Sequence, residues 1–268
     1  MKIAIIGCGN MGMTYAHAFL RYKIVKKSEL LLVEKSSKRK SELEKLKLGK
    51  VTSTIDQVLS KNDVIFLAVK PQDFNSISEK LKRSLKSKNI IISIMAGITI
   101  QKLENKLEHP AIIRAMPNTP AQVGMGVTGF TASKTTSIEQ IRIVENLLNT
   151  TGKTVFFEDG SLLDAVTALS GSGPAYFFYF LKNLVEAGEE MGLDTATATM
   201  LVNQTMLGSF HLFNSSTKSL DELIASVTSK GGTTEAAFQT LNQHKLDKKI
   251  KEAVLNAEKR AKKLSKIS

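Results

Sequence analysis

Short apolar runs separated by stretches of helical periodicity dominate the first half of the chain. Lys2–Ile6 is β-branched and barely alternates, as expected of a strand covered on both faces. A helical pattern follows over Met13–Tyr22, then a second apolar run over Leu30–Val33. Asp63–Val69, Asn89–Ile94 and Ala111–Ala115 repeat the strand pattern, with an amphipathic helix expected at residues 72–87 after Pro71. A helix over Ser137–Asn149 and a strand over Thr154–Phe157 close this half. Such alternation predicts βαβ units, hence a parallel sheet with helices on both faces.

From Leu162 to Leu264 the pattern changes: apolar residues recur at helical spacing and no β-rich run is visible. The chain is therefore an α/β protein in two parts, residues 1–158 and an all-helical 159–268. Near their junction stands Ser170-Gly171-Ser172-Gly173-Pro174, followed by Tyr176-Phe177-Phe178-Tyr179-Phe180. The small residues predict a turn, and proline suits the first turn of a helix, whose N–H groups lack partners anyway. An aromatic run is apolar all round the helix, so full burial is expected. In a helical half this small, that burial points to a second copy of the chain. Gly192 ends this helix, and Ser229–Glu235 opens another. Adjacent glycines and hydroxyls at a helix N-terminus suit an anion, or merely cap the helix. The basic, amphipathic stretch from Lys245 is expected to be a surface helix.

Composition narrows the class. With 42% hydrophobic residues in 268, the chain can build real cores. Its single cysteine, Cys8, excludes an internal disulfide framework and suits a reducing compartment. The apolar run at the N-terminus is too short for a signal-peptide core, and no stretch approaches the roughly 20 apolar residues of a membrane span. The expectation is a cytoplasmic protein with no membrane partner. A net charge of +12 could serve nucleic acid. The charge is dispersed, however, and no basic patch is interleaved with aromatics, so attraction of anionic small molecules is the expected use and no nucleic-acid partner is expected. No His, Cys and Asp cluster has metal-ligand spacing, and His17, His109, His211 and His244 lie outside every motif.

The chemistry begins at Gly7-Cys8-Gly9-Asn10-Met11-Gly12. This is G-x-G-x-x-G between a strand and a helix, the setting in which it binds a dinucleotide. Gly7 permits the turn, Gly9 lets a pyrophosphate approach the backbone, and Gly12 lets helix and strand pack closely. Cys8 is a small residue of that turn with no expected redox duty. Glu34 ends the second strand, where an acidic residue takes the ribose hydroxyls of NAD. Lys35, Ser36, Ser37, Lys38, Arg39 and Lys40 follow at once and would attract a 2′-phosphate. NADH and NADPH both stay open. The strand-end loops Ala68-Val69-Lys70-Pro71, Ser93–Gly97 with Ala96, and Met116–Pro120 are the expected lining.

These residues, with Arg114-Ala115-Met116-Pro117-Asn118-Thr119-Pro120, Ala168–Tyr176 and Gly231-Gly232-Thr233-Thr234-Glu235-Ala236, resemble the pyrroline-5-carboxylate reductase family through nearly the whole chain. The resemblance implies reduction of 1-pyrroline-5-carboxylate to L-proline by NADPH or NADH. It implies an N-terminal Rossmann-type domain (1–158) and an all-helical substrate-binding and dimerisation domain (159–268), with dimers often assembling further into decamers. It places Gly7 to Gly12, Glu34 to Ser37, Ala68 to Pro71 and Ala96 against the cofactor, and Gly231, Gly232, Thr233 and Thr234 near the substrate. A protonated imine is already electrophilic, so positioning is the main task. Thr234 is the expected catalytic hydroxyl at the ring nitrogen, with Thr233 and the two glycine amides on the carboxylate. Thr167 is a weaker candidate, expected to bond its own helix.

Two positions depart from the family: Lys230 stands where proline is usual, and Glu34 where a small or hydroxyl residue is common. A related architecture, the β-hydroxyacid dehydrogenases, uses a lysine as general acid. The corresponding position here is Phe177, which has no proton to give. A cofactor-sensing protein without turnover is a further alternative, and a basic nucleic-acid binder a third.

Overall fold

The computed structural model describes residues 1–55 and 59–267, with only the backbone of Ile267. Contacts divide the chain into two units: Met1–Ser172 together with the chain from Ala257 onward, and Gly173–Asn256.

In the first unit β1 (Ile3–Ile6) leads into α1 (Asn10–Arg21), β2 (Leu30–Val33), α2 (Ser37–Leu46) and β3 (Lys50–Thr52). Next come β4 (Val64–Leu67), α3 (Pro71–Ser84), β5 (Ile90–Ser93), α4 (Ile100–Leu107) and β6 (Ile112–Met116). The series ends with β7 (Gly126–Ala132), α5 (Ile138–Leu148), β8 (Gly152–Phe156) and the short α6 (Leu163–Val166). Among the described residues one sheet holds eight strands, in the order β3-β2-β1-β4-β5-β6-β7-β8.

Side-chain alternation feeds two cores from the same strands. Ile3, Ile5, Leu30, Leu32, Val64 and Phe66 join Tyr15 and Phe19 of α1 and Val144 and Leu147 of α5. Ala4, Ile6, Leu31, Val33, Ile65 and Leu67 join Phe74 and Leu81 of α3 and Leu103 and Leu107 of α4. Both faces are covered, which is why these strands read as unbroken apolar runs.

The sheet is not parallel throughout, as the alternation alone implied. β7 runs antiparallel to β6, and β8 runs parallel to β7. The link from β6 to β7 holds a single 3₁₀ segment, Thr119–Val123, and no crossover helix. A parallel return needs a crossover of about a dozen residues or more, so the chain turns back on itself. β7 escaped the sequence pattern because its Gly126, Thr128, Gly129 and Thr131 hide the strand signal. Those glycines answer to packing: a Cβ at Gly129 would lie 2.9 Å from Val166, and one at Gly126 2.8 Å from Ala121. The strand β3 was also not anticipated.

In the second unit α7 (Gly173–Glu190) and α8 (Thr195–Ser215) pack where Gly188 meets Ala198. Gly192, at φ +93°, turns the chain between them, and Asp194 caps α8 by accepting from the Thr197 N–H. α9 (Leu220–Ser226) and α10 (Thr233–Gln243) follow, and α11 (Leu246–Ile267) begins here. The turn expected at residues 170–173 is a π-helical turn, Thr167–Gly171, in the first unit. Nor is α7 buried all round within one chain: Phe177, Phe178 and Tyr179 are 64%, 66% and 66% exposed. Consecutive aromatics point around the helix, and α8 covers only one side of it. The stretch from Lys245 is helical but not wholly at the surface. Its later part counts with the first unit, where Ala261 is buried and the Ser265 hydroxyl donates to Asp164.

Candidate functional site: a cleft at the switch point of the sheet

The strand order reverses between β1 and β4, because the chain builds β2 and β3 on one side of β1 before crossing to the other. At such a point loops leaving adjacent strand ends diverge and open a crevice. The loops after β2, β1 and β4 therefore lie side by side. The Gly7 N–H donates to Val33 O at 2.9 Å, and the Ala68 N–H to Ile6 O at 2.8 Å.

The glycines of the turn have distinct geometric duties. Gly7 sits at φ +95°, and a Cβ there would lie 2.7 Å from the backbone of Ala68 and Val69. A Cβ on Gly12 would lie 2.1 Å from Gly7 O, so α1 could not approach the turn. A Cβ on Gly9 would meet nothing within 4 Å: the side of the loop that glycine leaves bare faces open space. Gly9 is also the N-cap of α1, and no side chain caps that helix. Bare backbone over a helix N-terminus suits a pyrophosphate.

A cleft of about 810 Å³ opens above this turn. Gly7, Cys8, Gly9, Glu34, Lys35, Ala68, Val69 and Lys70 line it. The other candidate cofactor residues are placed differently. Gly12 is buried beneath the turn, Ser36 caps α2, Ser37 opens α2, and Pro71 opens α3. Met11 packs against the core, and Ala96 lies in the turn after β5. Asn10 lines a neighbouring depression of about 490 Å³ with His17, Arg21 and Arg39.

The cleft also recruits residues that pattern alone did not suggest. Ser53, Thr54 and Ile55 follow β3, and Asp73, Ser76, Ile77 and Lys80 form one face of α3. The first three were missed with their strand. The second group has the i, i+3, i+4, i+7 spacing of a helix face, a signal present in the sequence but not separable from ordinary amphipathicity.

Glu34 bridges two loops, accepting the Cys8 N–H at 3.2 Å and the Ser36 N–H at 3.0 Å. Lys35 pairs with Asp73 at 2.8 Å. Burial, then the nearby Glu34 carboxylate, pushes the Cys8 thiol from 9.0 up to about 12, so it stays protonated at neutral pH. Among the described residues no group of three or more His, Cys, Asp and Glu side chains could hold a metal ion. His109 is buried between Lys86 O and the Ala111 N–H.

The candidate substrate residues lie in the second unit. Gly231, at φ +73°, and Gly232 lead into α10, and no side chain caps its N-terminus. The Gly231 N–H donates to Glu235 Oε2 at 2.8 Å, and the Gly232 N–H to Ser229 O at 3.0 Å. Those bonds brace the turn where Lys230 stands. Thr233 is exposed and Thr234 half-buried in the first turn of α10. In the first unit Thr167 donates its hydroxyl to Leu163 O at 2.7 Å, a bond within its own helical stretch.

Among the described residues no helix is long and apolar enough to cross a membrane. A family model described as pyrroline-5-carboxylate reductase dimerisation matches residues 160–264, so this part of the chain is a homo-oligomerising one. Another, described as NADP oxidoreductase coenzyme F420-dependent, matches residues 2–97. The chain is 34% identical over 267 residues to a pyrroline-5-carboxylate reductase of Staphylococcus saprophyticus, covering 99% of this chain and 98% of that protein. The structure of Plasmodium falciparum pyrroline carboxylate reductase with NADP bound is similar, with a TM-score of 0.89 at 29% identity, over 99% of this chain and 98% of that one. A pyrroline-5-carboxylate reductase from Coxiella burnetii gives a TM-score of 0.87 at 32% identity, over 98% of both chains. Likeness at this identity across almost the full length of each partner settles the family: the chain belongs to the pyrroline-5-carboxylate reductases.

Proposed function

We propose that this chain reduces the C=N bond of 1-pyrroline-5-carboxylate to give L-proline, using NADPH or NADH. One observation carries the reading: relatives named for this reaction match 98–99% of the chain, which itself builds a bare glycine turn beside Glu34 and Ala68-Val69-Lys70. Residues 1–158 serve as the dinucleotide-binding domain and 159–268 as the substrate-binding and dimerisation domain. The match of the dimerisation model from residue 160 supports that division.

A reduced nicotinamide, when bound, supplies the hydride. The chain's own work is to hold and orient. The backbone of the turn, from Gly7 through Cys8 and Gly9 to Asn10 and Met11 at the start of α1, takes the pyrophosphate, and Gly12 lets α1 pack close enough to present it. Glu34, Lys35, Ser36 and Ser37 face the ribose, and Ala68, Val69, Lys70, Pro71 and Ala96 flank the dinucleotide. The Gly231 and Gly232 turn and Thr233 hold the substrate carboxylate, and the Thr234 hydroxyl keeps or supplies the proton on the ring nitrogen. An iminium needs no strong acid, so orienting the two reactants carries most of the rate. The working form is a homodimer that assembles further, as far as decamers, in the cytoplasm. Its dispersed positive charge serves anionic small molecules rather than nucleic acid or membranes.

The test is steady-state oxidation of NADH and NADPH by purified full-length chain, with and without 1-pyrroline-5-carboxylate. Imine-dependent oxidation yielding proline is expected. Tight cofactor binding without it would make the chain a sensing protein and overturn the reading.

A further inference from the structure

The turn after β2 carries opposed signals, since Glu34 is followed by Lys35, Lys38, Arg39 and Lys40. Their partners decide between them. Glu34 is half-buried at the rim of the cleft, one carboxylate oxygen on the Cys8 N–H and the other on the Ser36 N–H. Three of the four cations have acidic partners of their own. Lys35 bonds Asp73 at 2.8 Å, Arg39 bonds Glu42 at 2.9 Å, and Lys40 stands 3.8 Å from Glu44. Arg39 also donates from Nε to Cys8 O at 3.4 Å, which ties it to the glycine turn. Lys38 is the one cation of the four without an ion pair among the described residues, and it does not line the cleft. Ser36 Oγ accepts from the Arg39 N–H as the cap of α2.

We propose that Glu34 makes this chain selective for NADH over NADPH, with the lysine and arginine cluster bracing α2 and the Lys35–Asp73 bridge rather than receiving a 2′-phosphate. The inference rests on the cofactor half of the reading above. An ionised carboxylate has about four acceptor sites, so two bonds to backbone N–H groups leave room for a ribose diol to donate. A 2′-phosphate brings only acceptors and a charge of about −1.5 to −2. It would face a carboxylate already in place. Turning Glu34 aside would release the Cys8 N–H, so making room for the phosphate would loosen the turn meant to hold the pyrophosphate. Recruiting Lys35, whose side chain is 76% exposed, would require breaking its bridge to Asp73.

The test compares dissociation constants of NADH and NADPH on the full chain, alongside 5′-AMP and adenosine 2′,5′-bisphosphate as fragments, and kcat/KM with both cofactors. Wild type is expected to favour NADH, and 5′-AMP over the bisphosphate, by about tenfold or more. Glu34→Gln, which keeps the shape and removes the charge, should narrow the ratio to about threefold or less. Glu34→Ser should move it further toward NADPH. Equal or tighter NADPH binding by wild type, or a ratio unmoved in Glu34→Gln, overturns the proposal even if the serine variant fails to fold. A tenfold binding preference with no imine-dependent oxidation supports this inference and strikes only the reductase reading.

Discussion

Arg114 and Asp164 form an ion pair inside the first unit, Nη2 to Oδ1 at 3.1 Å, with 4% and 8% of each residue exposed. The Ser265 hydroxyl donates to the same Oδ1 at 3.0 Å. One carboxylate thus ties β6, α6 and the last turns of α11 together. Removing it strands a buried guanidinium, which typically costs about 3–5 kcal/mol. Asp164→Ala should lose about that much in urea unfolding, and Ser265→Ala about 1 kcal/mol. A loss under about 1 kcal/mol for Asp164→Ala would show that the pair is not holding these segments.

Alanine at Gly9 and at Gly12 should fail in different ways. The Gly12 variant puts a methyl 2.1 Å from Gly7 O and should lower thermal stability along with cofactor affinity. The Gly9 variant has open space within the protein and an extended backbone at φ −76°, which alanine adopts freely. It should fold with an unchanged melting temperature yet bind NAD(P)H at least about tenfold more weakly. Equal affinities for Gly9→Ala and wild type would remove the pyrophosphate from that face of the loop.

Cys8 sets a pH dependence whose sign is fixed by burial. Its thiol ionises near 9.0 when unfolded and only at about 12 when folded. Above pH 9 the unfolded chain therefore binds fewer protons than the folded one, and stability falls with rising pH. The contribution is complete below 9 and lost as pH climbs through about 12. Wild type should lose more stability than Cys8→Ala between about pH 8 and about pH 10.5 in denaturant titrations. Iodoacetamide at pH 8 should label Cys8 only when denaturant is present. Rapid labelling of the native protein would contradict the burial.

Thr234→Ala should lower kcat about tenfold or more while cofactor affinity stays within about twofold, since the residue is assigned to the imine and not to the dinucleotide. Thr233→Ala should act mainly on KM for the imine. An unchanged kcat/KM in Thr234→Ala would take that hydroxyl out of the reaction.

The aromatic face of α7 should govern assembly. Phe178 is 66% exposed in the single chain, and an apolar surface of this kind marks a contact. Phe178→Asp should shift the protein to monomers at micromolar concentration by sedimentation velocity, with activity lost in parallel. A variant that still sediments as the wild-type oligomer would move the interface elsewhere.

Much of this was legible in one dimension. Ile3, Ile5, Leu30, Leu32, Val64 and Phe66 announce strands covered on both faces, because every position of such a strand must be apolar. Gly7 and Gly12 announce the turn because no other residue satisfies its positive φ and its close approach to the strand ends, while Gly9 leaves its face of the loop bare. The lining from Ser53 to Ile55 was not legible, since β3 has only three residues and no buried run. Nor was β7, whose glycines answer to Val166 and Ala121 far along the chain or across a turn.

The sequence by itself determined the α/β class, the helical second half and the place of the glycine turn between β1 and α1, because periodicity and backbone freedom are local properties of neighbouring residues. Only the tertiary structure decided that β7 turns back against β6, that α7 leaves its aromatics uncovered within one chain, and that Glu34 is held by Cys8 and Ser36 while Lys35 is claimed by Asp73. Those outcomes depend on which groups meet across long stretches of chain, and the partner of a charge or the cover of a ring is set by that meeting and not by the residue's own type.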